Sequence, residues 1–262
     1  MFDTIGTDIE VFGLSKTGKP SAICGKIGGT KEKPLQLKEH PKGFSIQEDN
    51  VALEYNIPAC VDVRQFISYV EHMNIETDKI LKKQNLTKSK ECALEFSKEE
   101  LSHPNALIFG CEPDYNAWKL VENKKPLSEN KSLRTCGGHI HVGTQAPMIE
   151  VVKWMDLLLG IPSVILDDSP QSIKRRLLYG KAGAMRPKSY GLEYRVLSNF
   201  WTFKNSLVSW VGHQTAYAVD KALLVEPIQK SLGQRIQNCI NTGDKKEALS
   251  LIKKFNINMP SK

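Results

Sequence analysis

Four short segments, far apart in the chain, repeat one design: apolar residues at alternate positions, with acids, imidazoles or a guanidinium between them. Side chains of a strand alternate between two faces. Ile5-Gly6-Thr7-Asp8-Ile9-Glu10-Val11 therefore sets Ile5, Ile9 and Val11 on one face and Asp8 and Glu10 on the other. In Val51–Ile57 the odd positions are apolar, while Glu54 and Asn56 point the opposite way. In Gly138-His139-Ile140-His141-Val142 the two histidines face together, and in Leu192–Val196 Glu193 and Arg195 oppose the apolar triplet. Any one of these reads as an ordinary half-buried strand with a wet face. As a set they read otherwise, because solvated strand faces tend to carry Lys, Thr and Ser. Gly6, Gly137, Gly138, Gly143 and Gly191 stand beside them, as where backbone passes close to a ligand.

If the four faces converge, Asp8, Glu10, Glu54 and Glu193 meet two histidines and Arg195 on one surface. Packed carboxylates must then protonate or bind cations. An oxygen-rich set with an occasional imidazole suits Mg²⁺ or Mn²⁺. No spacing supplies the cysteines or tight triplet of a tetrahedral zinc centre.

The rest of the chain supports a mixed architecture. Asp62 predicts the N-cap of a helix to about residue 83, with Phe66, Val70 and Met73 on one face. Residues 84–103 are polar and read as a lid or excursion, 106–111 as a strand, and 122–134 as a loop. Helices are expected over about 148–160 and 203–224, a strand over 191–198, and a C-terminal helical extension over about 226–262, with Asp244 capping its last helix. Strands and helices mix without regular alternation, which predicts an α+β fold with a largely antiparallel sheet. The 262 residues fit one catalytic domain.

Charge and motifs narrow the function. The net charge of +7 allows an anionic partner without naming it. Residues 174–188 hold six Lys/Arg in 15 positions and run directly into the Glu193/Arg195 strand. Few aromatics interleave with them, which disfavours nucleic acid. Beside a metal cluster, cations such as Lys181 and Arg186 serve better to neutralise a polyphosphate. Gly13-Leu14-Ser15-Lys16-Thr17-Gly18-Lys19-Pro20 imitates a P-loop, but Pro20 replaces the hydroxyl residue that would hold Mg²⁺, so it reads as a hairpin turn. Asp114 reads as a loop acid, and His40, His72, His103 and His213 read as structural or surface residues. The six cysteines show neither zinc nor disulfide spacing. No membrane span is expected, and the absence of a secretory pattern at the N-terminus predicts a cytoplasmic protein.

In chain order, G-T-D-I-E (6–10), E-D-N-V-A-L-E-Y-N (48–56), G-C-E-P-D-Y-N-A-W (110–118), C-G-G-H-I-H-V-G (136–143) and R-L-L-Y-G-K-A-G-A-M-R-P-K-S-Y-G-L-E-Y-R (176–195) resemble the phage-type carboxylate–amine ligases. These amidoligases belong to the glutamine synthetase and glutamate–cysteine ligase superfamily. The resemblance spans roughly residues 4–215. It implies a curved antiparallel sheet like the glutamine synthetase catalytic domain, with helices on its convex face and ATP and Mg²⁺ on the concave one. Asp8, Glu10, Glu54 and Glu193, with His139 or His141, would be metal ligands. Arg176, Lys181, Arg186 and Arg195 would contact phosphate, and Arg186, Glu193 and Arg195 would serve the chemistry. The larger synthetases usually carry two glutamates in the first strand, where this chain has Asp8 and Glu10. The implied reaction joins a carboxylate to an amine through an acyl phosphate, in the host cytoplasm if the chain is phage-encoded. A phosphotransferase like the guanidino kinases and a non-enzymatic basic nucleic-acid-binding module are the alternatives.

Overall fold

The computed structural model describes residues 2–38, 40–107, 114–124 and 130–260. Nine strands form an open sheet: β1 (Thr4–Val11), β2 (Leu35–Gln36), β3 (Ser45–Asp49), β4 (Ala52–Asn56), β5 (Tyr115–Asn116), β6 (Val121–Glu122), β7 (Gly138–Gly143), β8 (Ala184–Lys188) and β9 (Gly191–Tyr194). Their spatial order is β6-β5-β8-β9-β7-β1-β4-β3-β2, and every pairing is antiparallel. The α+β expectation holds, with a large antiparallel sheet.

The helices are α1 (Val63–Lys83), α2 (Met148–Met155), α3 (Ile161–Leu166), α4 (Ser172–Leu178), α5 (Asn205–Leu224), α6 (Lys230–Thr242) and α7 (Lys245–Lys254). Asp62 caps α1 by accepting the Gln65 N–H at 2.8 Å. Phe66, Val70, Met73, Thr77 and Leu81 recur on its buried face. The alternation of the sheet has its expected consequence. Ile5, Ile9, Val11, Leu53, Tyr55, Ile140, Val142, Leu192 and Tyr194 are all buried in one core, which α1, α2 and α5 help to cover. Asp244 caps α7, and Ile236, Ile240 and Leu251 join the same core.

Several boundaries differ from expectation. The 148–160 helix continues to Leu166 as α2, a π-helical stretch (Asp156–Gly160) and α3. Pro162 lacks the N–H that a regular α-helix would use there. The expected 191–198 strand ends at Tyr194, and a 3₁₀ turn (Asn199–Phe203) precedes α5. Within 122–134, Val121–Glu122 and Leu133–Thr135 are short strands, and 125–129 lie outside the described residues. Of the strand expected at 106–111, Pro104–Leu107 is a 3₁₀ turn and the rest lies outside them.

The P-loop imitation is a hairpin: Gly13–Leu14 pairs with Pro20–Ser21, and Gly18 takes φ +78° in the turn. Residues 84–103 carry part of a second apolar cluster, where Phe96 and Leu101 pack with Phe12, Val51 and Cys136. No helix among the described residues is long and apolar enough to cross a membrane.

Candidate active site

The polar positions of the four alternating segments form one row across the sheet. Asp8 lies opposite His139, Glu10 opposite Glu54, and His141 opposite Glu193. Arg186 then lies opposite Glu193 on β8, and Gln47 opposite Glu54 on β3. Register alone therefore brings together groups that are up to 185 residues apart in sequence (Asp8 to Glu193).

Two sets of donors stand side by side. In one, Asp8, His141 and Glu193 each offer an atom within 4.8 Å of the others; in the other, Glu10, Asp49 and Glu54 do the same. Asp8 bridges both imidazoles: its Oδ1 lies 2.9 Å from His139 Nδ1 and its Oδ2 lies 3.3 Å from His141 Nε2. Burial would raise the Asp8 carboxyl, but the two histidines outweigh it and hold it well below the usual carboxylate range. Burial likewise disfavours the charged His141 ring, and Asp8 reverses that and raises its pKa. Tyr190 Oη lies 2.8 Å from His141 Nδ1. The other ring nitrogen, Nε2, is buried and faces Asp8 Oδ2. A buried nitrogen held from behind and aimed at two carboxylates is what a metal ligand requires.

The second set has no imidazole. Glu10 Oε2 accepts the Gly137 N–H at 2.6 Å. Burial, then Asp8, Asp49 and Glu10, push Glu54 well above the usual range. Burial and Glu10 lift Asp49 to about 6. His139 and Lys31 act against the crowding at Asp49 without outweighing it, and a divalent ion would relieve the like charges.

Cations gather on the opposite flank. Glu193 is fully buried and contacts Arg195, Lys188 (2.9 Å) and Arg186 (3.3 Å). Burial and Asp8 would raise its pKa, but Arg195, His139 and Arg186 bring it down to about 2. Arg195 Nη1 also lies 3.3 Å from His139 Nδ1, and its Nε lies 3.6 Å from Asp114 Oδ2. Asp114, read as a loop acid, thus belongs to the rim of this site.

The structure brings together Asp8, Glu10, Glu54, His139, His141, Arg186, Glu193 and Arg195. It does not bring Arg176 to them. That residue is buried in α4, where its Nη2 meets Ser163 Oγ at 3.2 Å. Residues 172–178 form a helix, so their cations radiate rather than line one face. Arg175 is buried too, bonding the Cys136 and Val196 carbonyls. Lys181 lies exposed in the turn before β8. Asp49, Lys188 and Tyr190 join the site without having been singled out. Ser45–Asp49 is a strand with Ile46 in the core, but Glu48 interrupts the apolar alternation that marks the other four segments.

Residues 128–257 match the family model described as phage phiEco32-like COOH.NH2 ligase type 2. The match takes in His139, His141, Arg186, Glu193 and Arg195 and runs through α6 and α7, past the end of the motifs. Asp8, Glu10 and Glu54 precede it. No curated protein matches the chain.

Proposed function

Because this chain belongs to the COOH.NH2 ligase family, we propose that it is an ATP- and Mg²⁺-dependent ligase that joins a carboxylate to an amine through an acyl phosphate. One observation carries the reading: two carboxylate clusters share a sheet face and adjoin Arg186, Lys188 and Arg195. A carboxylate is a poor electrophile, and activation by phosphoryl transfer needs dense positive charge around a polyphosphate. On this reading the sheet is the glutamine synthetase type, and its acidic face is the concave binding surface.

Asp8, Glu193 and His141 would hold one ion, and Glu10, Asp49 and Glu54 a second. Such ions, when bound, neutralise phosphate charge and align the transferred group. Arg186, Lys188 and Arg195 gather around Glu193, and they would turn toward phosphate oxygens when a nucleotide binds. Tyr190 fixes the His141 ring from behind, and Gly137 fixes Glu10. Both devices keep ligand atoms in place before anything binds.

The test is a screen of the purified protein with ATP and Mg²⁺ against pooled carboxylates and amines, read by phosphate release and product mass. Release that needs both substrates, with an amide product, supports the proposal. ADP release indifferent to amine would overturn it, and a stably phosphorylated product would move the assignment to a phosphotransferase.

A further inference from the structure

Away from the sheet face just described, two histidines that no sequence spacing links come into contact. His72 and Glu76 stand four residues apart on α1 and so share a face. His40 reaches them from the 37–44 connection between β2 and β3, which is closed by a Leu37 N–H bond to the Phe44 carbonyl at 3.0 Å. His72 Nε2 lies 3.0 Å from His40 Nδ1, and His40 Nε2 lies 4.0 Å from Glu76 Oε2. The other oxygen of Glu76 is held by Lys79 at 2.7 Å. Phe44 packs edge-on against both rings and against Tyr69, forming an aromatic wall. The His40 and Glu76 side chains are each 17% exposed, so the group is shielded yet reachable.

We infer that His40, His72 and Glu76 bind a transition-metal dication of the zinc class. Each offers one donor atom within 4.8 Å of the other two. With metal–ligand bonds of about 2.0–2.1 Å, a tetrahedral site separates its donors by roughly 3.3 Å. His40 turns Nδ1 toward His72 (3.0 Å) and Nε2 toward Glu76 (4.0 Å), and a turn of its ring selects the one nitrogen it contributes to an ion shared with both. Two imidazoles and one carboxylate suit Zn²⁺ rather than Mg²⁺, which prefers oxygen throughout. Lys79 fixes the carboxylate from outside, and the fourth position is left for water. The bound ion would staple the 37–44 connection to α1. That connection leads into β3, which carries Gln47 and Asp49 to the acidic cluster.

The test uses the chelator-stripped full chain and Zn²⁺ alone, in equilibrium dialysis and melting, on the natural protein and on His72→Gln, Glu76→Gln and Asp8→Asn. The natural chain and Asp8→Asn should take up one Zn²⁺ at this site and gain Tm. His72→Gln and Glu76→Gln should lose at least about tenfold in affinity for it. Zn²⁺ uptake that survives both of these substitutions, or that disappears only in Asp8→Asn, overturns the inference. Should a variant fail to fold, Co²⁺ added to the natural chain gives an independent reading by NMR. Broadening of the His40 and His72 rings supports the site; broadening confined to His139 and His141 refutes it. Asp8→Asn separates the two sites, so failure here leaves the ligase proposal standing.

Discussion

Asp8 and His139 face one another across the central ladder of the sheet, with Oδ1 of the acid 2.9 Å from Nδ1 of the ring. The second oxygen of Asp8 lies 3.3 Å from His141. One carboxylate therefore contacts both imidazoles of β7. Burial opposes the charged form of His141, and Asp8 is the main group that overcomes it. Asp8→Asn should move the His141 titration to lower pH, followed through its imidazole NMR signals. A midpoint that stays in place would contradict this assignment.

Glu54 carries the burden of its acidic neighbours, so its removal should have two opposite effects. Glu54→Gln should raise the Tm of the metal-free protein, because a crowded charge is gone. It should also cut turnover on the order of 100-fold or more, since replacing even groups that only support a metal ligand costs 10- to 100-fold. The Mg²⁺-induced rise in Tm should shrink with it. A variant that melts lower without metal and still responds fully to Mg²⁺ would show that Glu54 is an ordinary core residue.

Stability of the metal-free protein should peak near pH 4–5. Burial raises Asp49 to about 6 and Asp156 to about 7, and Glu54 is raised as well. Groups raised on folding contribute fully below their unfolded values and lose that contribution as pH climbs through the folded ones. For Asp49 the loss by neutral pH is at most about 3 kcal/mol. Asp8 and Glu193 are lowered and act in the opposite sense, so their contribution is lost as pH falls, for Glu193 through about 2. Mg²⁺ should restore Tm at pH 8 far more than at pH 5. Asp156→Asn should flatten what remains of the alkaline limb, because Asp156 lies in the core, bonded to Trp118 and Tyr194. Melting curves from pH 3 to 9, with and without Mg²⁺, check all three statements.

Two adjacent glycines should fail differently. A Cβ on Gly138 would come within 2.7 Å of the Ser198 carbonyl oxygen and 2.6 Å of Trp201 Nε1, inside the core. Gly138→Ala should lower stability by about 1–3 kcal/mol, as overpacking does. A Cβ on Gly137 would instead collide with the His139 imidazole. That ring can turn aside, so Gly137→Ala should lose activity with a smaller fall in Tm. Equal losses of Tm would mean that His139 is as rigidly packed as Trp201.

The site was legible wherever its residues sit in strands with an apolar alternate, because period two is written locally. That is why Asp8, Glu10, Glu54, His139, His141, Glu193 and Arg195 could be grouped before any coordinates. Asp49 escaped because its strand has Glu48 at an alternate apolar position. Arg176 was misplaced because a run of cations in sequence does not reveal that a helix will splay it. The contact of His40 with His72 depends on how a loop folds onto a helix, and no local pattern encodes that. Helix ends fared similarly. The cap at Asp62 is a local event and was readable, whereas the run through the π-helical stretch depends on Asp156 finding Trp118 and Tyr194 in the core.

The middle strand of the sheet, β7, lies between β1 from the start of the chain and β9 from far beyond it. The first half carries Glu10, Asp49 and Glu54, but neither half alone can bring Asp8 to His141 and Glu193. The Asp8, His141 and Glu193 set must therefore assemble late in folding, once contacts of high sequence separation have closed. Two fragments divided in the 125–129 region should each be inert, and any activity regained on mixing them would report on the pairings that cross the division, β1 with β7 and β5 with β8.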